Sequence, residues 1–134
     1  MEIEKIFKNL ILADFIVIIL MVISSMYQPS EISNLYENLN DGLLSNFENF
    51  SRIVSISLFF LYLFTLNLLY RFISYGKHLY LFLIISGIII NYLSGTVIYT
   101  SFGSILDQIG GIVSGAILIL LYYSPIKKYF YYKK

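Results

Sequence analysis

Asp14 interrupts the run Asn9–Gln28, which otherwise carries no charge. A lone carboxyl group in such a setting can do two kinds of work. It can take up and release a proton, and so couple to a cation, as intramembrane acids commonly do. It can also accept hydrogen bonds from a neighbouring helix and hold the two together. Partners follow from depth. Asp14 lies six residues past Lys8, or about 9 Å of helix rise. Asn67 lies four residues before Arg71, or about 6 Å. If Lys8 and Arg71 mark the same level, Asp14, Asn67 and Arg71 are expected to form one intramembrane polar cluster. As a site it would bind a proton or cation; as a structural element it would clasp the first and second helices.

Other residue types narrow the chemistry. The chain has no Cys and a single His, His78, so thiol chemistry and histidine or cysteine metal sites are excluded. There is no glycine-rich phosphate loop, no nucleophile with a base beside it and no paired carboxylates in one plausible pocket. Neither an enzyme nor a cofactor is expected, and no nucleic-acid partner. Two helical faces carry small and polar residues instead: Gly87, Asn91, Ser94 and Gly95 in the third hydrophobic stretch, and Gly111, Ser114 and Gly115 in the fourth. Small residues let membrane helices approach closely, so these faces are expected to be helix-packing surfaces, with Leu at Gly111 or Gly115 disruptive. A substrate path along the same faces is the alternative. Asn91, about 18 Å from the basic interface by helix rise, is the most central strongly polar residue and should find a partner on another helix.

The segment Ile11-Leu12-Ala13-Asp14 loosely resembles the first-helix acid motif of small multidrug resistance transporters. Those are short four-helix proteins with both termini on one side, and their acid couples protons to cationic drugs. The likeness spans about a dozen residues and implies a coupling role for Asp14. Elsewhere the chain departs from the family, with Asp in place of Glu, a long first loop and no Trp.

The elements that must position these residues are legible in composition. Of 134 residues 58% are hydrophobic and 13% charged, against about 45–50% and about 25% in soluble domains. One domain of this length cannot hide so much apolar surface from water, so the excess faces lipid. Four stretches, about 9–28, 53–70, 79–99 and 108–126, approach the roughly 20 residues needed to cross a bilayer as helix. They do not alternate as barrel strands would. The expected fold is all-α, an integral membrane bundle of four transmembrane helices. The first stretch, with Asp inside it and a poor cleavage signal, is expected to be a retained anchor rather than a signal peptide. The turn Thr100–Asp107 is expected to join the last two spans.

Charge placement orients the bundle. Lys5, Lys8, Arg71, Lys77, Lys127, Lys128, Lys133 and Lys134 fall on one side of a four-span arrangement and only Arg52 on the other. Both termini are therefore expected in the cytoplasm. Abundant Ile, Asn, Tyr, Phe and Lys with only two Ala is the bias of an AT-rich genome, and the expected membrane is a bacterial inner membrane. The segment about 31–50 has acids but no Lys or Arg, with Ile32, Leu35, Leu39, Leu43, Phe47 and Phe50 at three- and four-residue spacing. It is expected to be an amphipathic outer helix, lying on the leaflet or capping the bundle. The basic, tyrosine-rich tail should lie on the anionic inner leaflet. The expected function is that of a non-enzymatic accessory, assembly or immunity-type factor acting through helix contacts, with the bilayer, another membrane protein or a second copy of itself as partner. The alternative is a small oligomeric proton- or cation-coupled transporter using Asp14.

Overall fold

A computed structural model describes residues 2–27, 29–32, 34, 48–93 and 98–130, with the side chains of 48–52 excepted. It is an all-α bundle with no strand among the described residues. Among the described residues four long helices follow in order: α1 (Glu2–Met26), α2 (Glu48–Tyr70), α3 (Ser74–Leu93) and α4 (Ser101–Tyr123). A 3-10 turn, Pro125–Phe130, closes the described chain. All four helices are long and apolar enough to cross a membrane, and the chain is a multi-pass membrane protein.

Several helix limits differ from those read off hydropathy, because a hydrophobic run marks the lipid-facing length and not the hydrogen-bonded length. α1 begins at Glu2, where two acids in the first turn, Glu2 and Glu4, complement the positive end of the helix dipole. It carries its polar end out of the apolar run on an ion pair between Lys8 Nζ and Glu4 Oε1, 2.9 Å apart. α4 begins at Ser101. Thr100 is its N-cap, and its side-chain oxygen accepts from the Gly103 backbone N–H at 3.0 Å. The segment expected as an outer turn, Thr100–Asp107, is therefore mostly the first two turns of α4. Most of the outer segment 31–50, with Ser94 and Gly95, lies outside the described residues.

α1 packs most extensively on α4 and α2 on α3. In the first pair, α1 presents a stripe of Phe7, Ile11, Asp14 and Val17, spaced by three and four residues so that all lie on one face. The antiparallel register brings Ser24 to Gly103 and Val17 to Gly110: a Cβ built on those glycines would stand 3.8 Å from Ser24 Oγ and 3.5 Å from Val17 Cγ1. The second pair meets at Gly76, whose added Cβ would lie 3.0 Å from Leu68 Cβ and 3.2 Å from Leu69.

The core lies toward one end. Phe7, Ile11, Leu66, Leu69, Phe72, Tyr80, Ile117, Leu121, Ile126 and Phe130 form one buried cluster. These residues lie near the start of α1, the end of α2, the start of α3 and the end of α4, the end that also bears, among the described residues, every Lys and Arg except Arg52. Phe72, between α2 and α3, has φ 59, a left-handed conformation that costs a non-glycine residue roughly 1–2 kcal/mol. It closes α2 as a Schellman cap, with Phe72 N–H donating to Leu69 C=O at 3.0 Å and Ile73 N–H to Leu68 C=O at 2.9 Å. Its ring is stacked on Phe7 at 5.7 Å and edge-on to Phe130 at 5.3 Å. That aromatic packing offsets the strain.

The polypeptide after α4 does not simply lie outward on a lipid surface. Ser124 ends the helix, its hydroxyl donating to Leu120 C=O at 2.6 Å. Pro125 cannot continue the hydrogen-bond ladder. The 3-10 turn that follows drives Ile126 and Phe130 back under the bundle, where each is buried, while Lys127 and Lys128 remain exposed. The alternation of apolar and basic residues makes this tail a plug with a charged rim.

Candidate functional site

Asp14 stands at the midpoint of α1 and is 1% exposed. The surrounding helices decide what it meets. Each of the other three supplies one hydroxyl group. Tyr62 of α2 donates to Asp14 Oδ2 at 2.7 Å, Tyr80 of α3 donates to the same oxygen at 3.2 Å, and Ser114 of α4 donates to Oδ1 at 3.3 Å. The two tyrosine oxygens are also 3.2 Å apart, with ring centroids separated by 5.7 Å. A carboxyl group taken out of water is costly unless hydrogen-bonded, and here every helix contributes to holding it.

The expected cluster of Asp14, Asn67 and Arg71 is corrected by this arrangement. Asn67 and Arg71 are exposed, and the partners of Asp14 come from elsewhere. The reason is rotational. Depth alone placed Asn67 near Asp14, but five residues of helix separate it from Tyr62, or about 140° around the axis at 3.6 residues per turn. Tyr62 points inward with Leu66 and Leu69, and Asn67 consequently points out. Arg71 lies beyond the end of α2, in the turn that Phe72 closes.

The small-residue faces are also corrected. A Cβ at Gly87, Gly111 or Gly115 would meet nothing within 4 Å, so among the described residues these glycines make no close approach to another helix. They line a cavity of about 600 Å³ instead, together with Asp14, Tyr62, Asn91, Asp107 and Ser114. Asn91 is exposed at its lining. The close approaches are made by Gly76, Gly103 and Gly110. The helical faces were readable from spacing; whether a face meets a helix or a void depends on how α1/α4 and α2/α3 splay, which spacing does not encode.

The cavity begins at the Asp14 layer and extends away from the basic end. Val17, Ile18 and Met21 of α1, Ser55, Leu58 and Phe59 of α2, and Ile84 and Ile88 of α3 complete most of its walls. Among the described residues those walls contain two acids, Asp14 and Asp107, and no Lys, Arg or His. The arrangement suits a positively charged guest: the walls are mostly apolar, and among the described residues the ionisable groups that line them are anionic when charged. Proton exchange is equally available at Asp14, whose contacts Tyr62 and Ser114 also line the cavity. Among the described residues no group of three or more His, Asp or Glu is placed to hold a metal ion.

Tyr62 and Tyr80 are the residues the sequence did not single out. Thirteen tyrosines are scattered through the chain, most of them suited to the membrane interface. The one available signal was depth: Tyr62 lies eight residues inside the end of α2 and Tyr80 six inside the start of α3, too deep for an interfacial belt and level with Asp14. No family model, no curated protein and no solved structure matches this chain.

Proposed function

We propose that this chain is a small non-enzymatic protein of a bacterial inner membrane, with both termini cytoplasmic, in which Asp14 exchanges a proton or a cation with the intramembrane cavity. This is the transporter reading. The observation that carries it is a buried carboxyl group at the inner limit of a cavity whose lining, among the described residues, contains acids and no base. An acid held by three hydroxyls from three helices is suited to coupling, because a change in its charge alters the hydrogen bonds that fix the position of each helix. The excess of Lys and Arg at the opposite end supports the orientation.

One specific observation favours the accessory-protein reading. The same three hydroxyls satisfy Asp14 within a single chain, as a clasp would. The two readings disagree about Asp14→Asn. For a coupling site, the purified variant in proteoliposomes stays folded and loses proton or cation flux, because an amide cannot cycle a proton. For a clasp, the variant is silent. Undiminished flux through Asp14→Asn protein overturns the transporter reading.

A further inference from the structure

The cavity holds a second feature beyond the Asp14 cluster. Acids that lie more than one turn inside a helix are costly in a membrane, and among the described residues there are two, Asp14 and Asp107. Both line the same cavity. Their separation can be read along α4. Ser114 touches Asp14, and Asp107 precedes Ser114 by seven residues, which is about 10 Å of helix rise. Gly111 lies between them on that face, and among the described residues a Cβ there would meet nothing within 4 Å. The facing walls are Leu58 and Phe59 of α2 and Ile84 and Ile88 of α3.

We infer that the cavity accepts an elongated dication: two ammonium groups about 10 Å apart joined by an aliphatic chain. One ammonium lies against Asp107. The other donates to Asp14 Oδ1, which among the described residues accepts from Ser114 alone, whereas Oδ2 already accepts from both tyrosines. The methylenes between them lie along the glycine face of α4, against the apolar walls. A monocation leaves one of the two acids unmatched, and a dicarboxylate meets like charge at both ends. This identification of the substrate rests on the transporter reading.

The test is calorimetric titration of the full chain, purified in detergent, with hexane-, octane- and decanediamine, the monoamine of matching carbon number and a matching dicarboxylate. The expected result is a length optimum among the diamines, with the best diamine binding about tenfold tighter than its monoamine, the change expected of one added charge contact at a partly desolvated site. Asp107→Asn should erase that difference while leaving monoamine binding. Asp14→Asn, close in shape to the native residue, should weaken both. Glu2→Gln, an acid at the far end of α1, should change neither. Equal affinities for diamine and monoamine overturn the two-acid assignment. So does failure of every amine to bind folded protein. If either occurs while Asp14→Asn still abolishes proton flux, the transporter reading survives and the dication alone is lost.

Discussion

Asp14 makes three hydrogen bonds, and their strengths should be unequal. Tyr62 makes the shortest of them, at 2.7 Å, and also contacts Tyr80. Removing either hydroxyl, as Tyr62→Phe or Tyr80→Phe, disturbs two contacts and leaves the other tyrosine donating to Asp14 Oδ2, but Tyr62→Phe loses the shorter bond, 2.7 Å against 3.2 Å. Interhelical hydrogen bonds in membranes average about 0.6 kcal/mol and reach about 1.7 kcal/mol. Tyr62→Phe should fall near the upper figure and Tyr80→Phe near the lower. The double variant should cost less than the two losses added, because the contact between the two hydroxyls is lost in each single variant and so is counted twice in their sum. Denaturant titration in mixed micelles gives all three values, and additive losses would show that the hydroxyls act independently. Asp14→Leu should cost more than Asp14→Asn, since it strips the acceptor from three hydroxyls at once.

At the level of the helices, the glycines divide into two sets that sequence spacing treats alike. Gly76→Ala places a methyl 3.0 Å from Leu68 Cβ, an approach neither element can relieve cheaply, and should destabilise by about 1–3 kcal/mol. Gly111→Ala and Gly115→Ala place a methyl in open space and gain helix propensity of up to about 1 kcal/mol. Thermal unfolding in detergent should therefore move down for the first and stay level or rise for the others. A fall at Gly111 or Gly115 would mean that this face meets a second copy. The turn at Phe72 offers a separate test. Phe72→Gly loses the ring but relieves the left-handed backbone, while Phe72→Ala loses the ring and keeps the strain. Both should destabilise, with Ala worse than Gly by about 1 kcal/mol; the reverse order would show that φ 59 is not the strained feature.

Over the whole molecule, packing is uneven in a way that suits alternating roles for the two ends. The aromatic core of Phe7, Phe72 and Phe130, flanked by Lys8 5.4 Å from the Phe72 ring centre and Lys77 5.5 Å from that of Phe130, welds the basic end shut. Toward the other end the helix pairs part around the cavity. Tags at either terminus should be accessible only from the cytoplasm, and a tag near Asn40 only from outside. A tag at residue 134 exposed outside would overturn the charge-based orientation.

The sequence by itself determined the all-α membrane bundle, because four long runs with few charges have no other stable form in lipid. It also singled out Asp14, since a lone acid in such a run stands out against its neighbours without any knowledge of contacts. Depth was legible as well, because helix rise is nearly constant along the chain. What the tertiary structure decided was rotation and splay. Asn67 and Tyr62 belong to the same helix within two turns of each other, yet one faces out and the other binds Asp14, and a uniformly apolar helix gives weak guidance about which side turns inward. Gly103 and Gly110 meet α1 while Gly111 and Gly115 border a void. That difference arises from the angle between helix pairs, which is set by many side chains at the aromatic end acting together and by no local pattern in α4.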